Sequence, residues 1–286
     1  MKHLQYFFQF LFISVLFIIF KFTGLRLSRI IASKIFFTFG RFFRSKKIIE
    51  NNIHFVFPAS DQNFKKMMVN EMWKYYGKIL AEYMFIKYFR KTQSEKFLEI
   101  KGQEILEKVK ISNDPVIFVS GHFDNFELMA MHIEKSGIDL AAIYRPLNNI
   151  FLNPFMENIR KKYICRKQIK KGISGTKEIL KHFKSGASIA LMIDQRVSQG
   201  AKSILFNKAA FTTTIPAQFV KKYNCKIVPI YIERKNNENF MLEIMEPMSF
   251  GNDQTIEDIT LELNWVLEKM IIRNPFQWIW SHNRWK

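Results

Sequence analysis

The chain has 286 residues, 48% of them hydrophobic, and 44 Lys/Arg against 25 Asp/Glu give a formal charge of +19. The hydrophobic content excludes a disordered tail protein, and the length suits one large α/β domain or two small ones. The basic excess calls for an acidic partner: nucleic acid, anionic lipid or an acidic carrier protein. Two cysteines, Cys165 and Cys225, exclude a disulfide framework and a Cys-rich zinc site, and their apolar settings mark reduced, buried thiols.

Residues 1–47 stand apart. They hold nine Lys/Arg, no Asp or Glu, and twelve of the thirty Phe. Residues 4–20 run without a charge. That length lies at the short end of the roughly 17–25 residues a spanning helix needs, and Gln5 and Gln9 weaken it. No small-x-small cleavage site follows, which argues for a retained anchor over a signal peptide. If the segment spans, the positive flank of Lys21, Arg26 and Arg29 puts the rest of the chain in the cytoplasm. Over 25–44, helical spacing gathers Arg26, Arg29, Lys34, Arg41 and Arg44 within about 140°, with Leu27, Ile31, Phe36, Phe39 and Phe43 mostly opposite. This is the pattern of a basic amphipathic helix lying in a membrane interface. The reading divides the chain into 1–47, anchor plus interfacial helix, and 48–286, one α/β domain.

Within 48–286 the periodicity predicts a long helix over 63–91, punctuated by Pro58 and Ser60, and a second over 102–110. Residues 115–120 are a short apolar run of the kind found in strands buried on both faces. A helix over 126–135, a strand over 140–144 and helices over 154–162 and 176–184 follow. Then come a strand over 188–193, a helix over 215–223, strands over 226–232 and 240–244, and a terminal helix over 255–272. This βαβα alternation predicts a mostly parallel central sheet covered by helices.

Ligands in such sheets bind beyond the carboxyl ends of strands. Three of these ends carry reactive residues: Gly121-His122-Phe123-Asp124-Asn125-Phe126-Glu127, Arg145-Pro146, and Asp194-Gln195-Arg196. Five residues on one helix rotate by about 140°. A His122–Glu127 contact therefore requires His122 in the turn and Glu127 in the first helical turn. Glu127 would then orient one ring nitrogen, and the other would take a proton from a substrate hydroxyl. Asp124 is a rival orienting acid or a helix cap. Asn125 is placed to donate to the histidine or to a developing oxyanion. Gly121 permits close backbone approach. The remaining histidines show no metal-ligand spacing, and the motifs of zinc proteases, serine hydrolases and P-loops are absent.

The segment SGHFDNFELM resembles the His-x4-acid motif of the lysophospholipid and lipid A acyltransferase superfamily, in particular the bacterial lipid A late acyltransferases of the lauroyl/myristoyl type. Further blocks agree in order: Asn52 to Pro58 with Tyr76-Gly77 and Glu82, then Tyr144-Arg145-Pro146-Leu147, Asp194-Gln195, and the aromatic, basic stretch from Trp278 to Trp285. One departure is Asn207, where the family usually has Gly, in a stretch expected to shape the acyl or sugar pocket.

The resemblance implies a glycerolipid acyltransferase-like fold and O-acyl transfer from an acyl thioester, carried by acyl carrier protein, to a hydroxyl of a lipid A precursor. It implies His122 as general base, Glu127 as its orienting acid, and Arg145 as a phosphate ligand. Asp194, Gln195 and Gly121 would sit at the substrate, and Glu82 would support the His122 region. It implies no cofactor, no metal and no nucleic acid. The location would be the bacterial inner membrane, with the catalytic domain on the cytoplasmic side. Two competing readings are an acyltransferase for another phospholipid or glycolipid, and a non-catalytic basic protein binding membrane or nucleic acid.

Overall fold

A computed structural model describes residues 2–42, 44–236 and 238–286, and the backbone alone of Ile173. The expectation placed on Phe43 lies outside the described residues. The chain forms an α/β fold around a seven-stranded sheet of order β1-β9-β8-β2-β5-β3-β4. The strands are β1 Leu98–Lys101, β2 Ile117–Ser120, β3 Leu140–Tyr144, β4 Lys167–Lys170, β5 Ser188–Met192, β8 Ile227–Lys235 and β9 Asn239–Ile244. All neighbours run parallel except β8 and β9. The central strand β2 is buried at all four positions, as an apolar run covered on both faces requires.

The helices cover this sheet: α2 Lys46–Val56, α3 Gln62–Tyr83, α4 Ile86–Lys91, α5 Gln103–Ser112, α6 Glu127–Lys135, α7 Leu152–Ile159, α8 Ile173–Lys184, α9 Ile215–Tyr223 and α10 Ile256–Arg273. A π-helical turn, Arg160–Ile164, continues α7. The expected 63–91 helix is broken between α3 and α4, where Phe85 leaves helical geometry and Ile86 and Phe89 turn into the core. Five elements escaped the sequence reading. They are helix α2, strands β1 and β4, and the antiparallel hairpin of β6 Ala201–Leu205 and β7 Lys208–Thr212. β1 and β4 are the two edges of the sheet and mix Lys, Glu or Gln with single aliphatic residues, so neither presents an apolar run. Phe206 and Asn207, at φ 52° and 58°, close the hairpin. Positive φ at both central positions is what a tight hairpin turn demands, and it explains Asn as the stand-in for Gly. Residues 206–210 are not among the described residues lining the cavity beside His122.

The N-terminal helix α1 spans Lys2–Phe39 and bends at Gly24, whose φ is 75°. It has the length and composition to cross a membrane. Its second half differs from the expected basic-face helix. Arg29 is buried with Ser28 and Ala32, while Leu27, Ile30 and Phe37 are exposed. The cause is the crossing with α3. A Cβ on Gly77 would lie 2.3 Å from the Ala32 carbonyl oxygen, so only glycine lets the two backbones meet. Gly77→Val is expected to cost ~1–3 kcal/mol by forcing this crossing apart, read as a lowered urea midpoint. An unchanged midpoint would refute the close-packing role.

Candidate active site

β2 and β5 pair in parallel with Ser120 opposite Met192. Two residues beyond those partners lie His122 and Asp194, and the register brings them together. The His122 Nδ1–H donates to Asp194 Oδ1 at 2.8 Å, and the His122 backbone N–H donates to Oδ2 at 2.8 Å. The Trp278 indole N–H donates to the same Oδ2 at 2.9 Å. A carboxylate only accepts, so Nδ1 carries the proton and Nε2 holds the lone pair when the ring is neutral. Burial would raise the Asp194 carboxyl, but the adjacent His122 and these hydrogen bonds hold it down at about 2. The His122 ring also stacks edge-on against Phe126, at 4.7 Å between centroids. Its side chain is 18% exposed, facing a cavity of about 430 Å³.

Glu127 was expected to orient the imidazole, and Asp194 does so instead. Glu127 starts α6 with its carboxylate turned toward α3 and the π-helical turn. It accepts from the Tyr83 hydroxyl and from Arg160 Nε at 2.8 Å, and pairs with the charge of Arg160 Nη2 at 2.6 Å. The guanidinium supplies the charge that draws the acid away from the histidine. Glu127 and Arg160 both line the cavity. Asn125 also departs from expectation: it is buried, and its amide donates to Glu82 Oε2 at 2.8 Å and not to His122.

Asp124 neither orients His122 nor caps α6. It belongs to a buried ion cluster behind the site. Arg234, on β8, donates to Asp124 through Nη2 at 2.6 Å and Nε at 3.0 Å, and to Glu82 through Nη1 at 2.7 Å and Nη2 at 3.0 Å. Arg29 adds an Nε bond to Glu82 at 2.6 Å. Burial would raise Glu82, yet Arg234 and Arg29 hold it below the usual carboxylate range. Glu82 thus supports the His122 turn through Asn125 and Asp124. Among the described residues that line the cavity, Glu82, Gly121 and Asp194 do not appear. A side chain on Gly121 would collide with the Phe123 ring at 2.8 Å.

The cavity takes its polar rim from His122, Arg145, Lys171, Gln195 and His282, and an apolar wall from Ile133, Ala142, Ile143, Ala190, Met192 and Ile215. Arg145 is exposed at the mouth, and the Gln195 amide nitrogen lies 3.5 Å from His122 Nε2. Sequence reasoning gave no role to Tyr83, Arg160, Lys171 or Arg234, which are distant in sequence and converge only through the sheet. His282 was dismissed for lack of ligand spacing. Burial lowers it to about 4, and its Nδ1 has no partner among the described residues. The C-terminal block is fastened by Asn52, whose amide donates to the Trp280 carbonyl at 2.8 Å and to the His282 carbonyl at 2.6 Å. Arg284 is buried and reaches the Phe211 carbonyl at 2.7 Å. Two blocks some 230 residues apart therefore meet beside the site.

Residues 1–286 match the family described as bacterial lipid A biosynthesis acyltransferase. The chain belongs to that family. Curated relatives include a lipid A biosynthesis palmitoleoyltransferase of Escherichia coli, 22% identical over 85% of this chain and 79% of the relative. A lipid A biosynthesis acyltransferase of Haemophilus influenzae is 22% identical over 85% and 78%. A lipid A biosynthesis myristoyltransferase of Escherichia coli is 20% identical over 84% and 74%. The lipid A acyltransferase assignment makes this protein an enzyme, which removes the non-catalytic reading.

Proposed function

We propose that this acyltransferase moves a fatty acyl group from acyl carrier protein to a hydroxyl of a lipid A precursor, with His122 as general base and Asp194 as the acid that orients it. The observation that carries this reading is the His122–Asp194 pair, whose outward nitrogen faces the cavity rim. His122 Nε2 takes the proton as the acceptor hydroxyl oxygen attacks the thioester carbonyl carbon. The tetrahedral intermediate collapses, the carbon–sulfur bond breaks, and the thiolate leaves with the proton returned by His122. Asp194 stabilises the imidazolium between those steps. The Gln195 amide is the donor nearest the reacting nitrogen and serves the oxyanion. The apolar wall suits an acyl chain, and Arg145 and Lys171 suit a phosphate. Glu127 positions Arg160 along the same wall.

The charge supports an acidic donor. Residues 160–184 hold ten Lys/Arg and one acid; several of these bases are exposed, and Lys171 among them lines the cavity. The apolar α1 supports a membrane location, with the domain on the cytoplasmic side. The test is transfer from acyl-carrier protein by purified protein in detergent, to a tetraacylated lipid A precursor or to a phospholipid. Product on the lipid A precursor is expected. Product on the phospholipid alone would overturn the acceptor, and no product on either would overturn the reaction.

A further inference from the structure

The connection between β3 and α7 lines the cavity through Arg145, Pro146, Leu147 and Asn148, and it also carries an outward apolar surface. Leu147, Ile150, Phe151 and Phe155 are exposed large apolar side chains within nine residues. Asn149 at their centre is buried. Its amide donates to the Tyr6 carbonyl at 2.8 Å, and its oxygen accepts from the Phe151 and Leu152 backbone N–H groups at 3.0 and 3.2 Å. One side chain thus folds the connection and fastens it to α1. Phe151 packs edge-on against Phe7 at 5.7 Å, and Phe155 lies 5.6 Å from Phe17. The outer face of that part of α1 exposes Leu4, Phe8, Leu11, Val15 and Ile18. The two apolar surfaces are continuous, unlike apolar residues scattered singly over a surface.

We infer that the β3–α7 connection is a second lipid-contacting element, inserted into the same leaflet as α1, and that α1 lies along the membrane face of the domain instead of leaving it to cross the bilayer. This rests on the membrane location proposed above, and the occupant is an anionic bilayer. Before the bend at Gly24, α1 touches the domain at Tyr6 and again at Phe17, so this half of the helix runs along the domain surface and not away from it. An upright α1 with Tyr6 at the far side would draw Arg145 and Asn148, both exposed and next to Asn149, into hydrocarbon, where charged and polar groups are costly. A flat α1 sets them at the headgroups. The cavity mouth then opens sideways to a phosphate-bearing lipid, and Lys21, Arg26 and Lys34 meet anionic headgroups.

The test uses nitroxide labels on Leu4→Cys, Leu11→Cys, Ile18→Cys, Ile150→Cys and Ile111→Cys in a Cys165→Ala, Cys225→Ala background. The protein is reconstituted in phosphatidylethanolamine/phosphatidylglycerol vesicles, and depth is read from collisions with oxygen and a nickel chelate. Leu4, Leu11 and Ile18 share one face of α1, so the flat arrangement gives them a common shallow depth. Ile150 is expected at that depth, and Ile111, 83% exposed on α5, in water. A crossing helix would instead separate the three α1 labels by about 10 Å per seven residues, and that result overturns the flat arrangement. An aqueous Ile150 overturns the second contact. Should the cysteine variants fail to fold, Ile150→Asp in the unaltered chain is expected to lower vesicle binding several-fold while Ile111→Asp leaves it unchanged. Equal binding overturns the inference. Acyl transfer is measured on the same vesicles. Transfer with an aqueous Ile150 sinks this inference alone, and immersed labels without transfer sink the reaction alone.

Discussion

His122→Ala is expected to lower acyl transfer by about 100-fold or more, the usual contribution of a positioned general base, with little change in the urea midpoint. Asp194→Asn is expected to lower it by a similar or larger factor. An amide at this position donates as well as accepts, so it no longer selects the Nδ1–H form of the imidazole, and it carries no charge against the imidazolium. Glu127→Gln provides the contrast. Its carboxylate bonds Arg160 and Tyr83, so its loss is expected to raise KM with the pH profile of kcat unchanged. Initial rates of thioester consumption across pH decide between the two acids. A large kcat loss in Glu127→Gln beside a mild one in Asp194→Asn would return the orienting role to Glu127. The pair also has an acid signature. The folded Asp194 carboxyl lies at about 2, below its ordinary 3.8. Its contribution to stability is therefore present above about 4 and lost as pH falls toward 2. The Asn variant is expected to lack that part of the acid transition.

Arg234→Met is expected to cost about 3–5 kcal/mol, because it strands buried carboxylates without their cation. Arg234 is the one guanidinium bonded to both Glu82 and Asp124 among the described residues, and it is itself buried. Arg29 continues to reach Glu82, but Asp124 loses both of its guanidinium bonds. The urea midpoint measures this, and a change under 1 kcal/mol would show that the cluster is not coupled to folding. The fold places it where such a loss spreads. Arg29 is on α1, Glu82 on α3, Asp124 in the turn that carries His122, and Arg234 on β8. Transfer is therefore expected to fall together with stability in this variant, unlike His122→Ala.

The sequence by itself determined the α/β class, most helices, the buried strands and the place of His122 just past the end of one of them. Those signals are local: apolar runs of strand length, helical periodicity, and reactive residues where a strand stops. The extents of β3 and α9 match the expected 140–144 and 215–223. Tertiary structure decided which acid holds the histidine. Glu127 is five residues away in sequence and Asp194 seventy-two, yet parallel pairing of β2 and β5 sets their carboxyl ends side by side. The helix start turns Glu127 toward Arg160 instead. Arg29 followed the same logic. Spacing along α1 assigned it to an exposed basic face, whereas the close crossing at Gly77 carried it into the interior beside Glu82. Sequence periodicity reports a residue's angle on its own element. Only packing against other elements decides which angle faces the core, because the burial energy that selects it comes from partners distant in the chain.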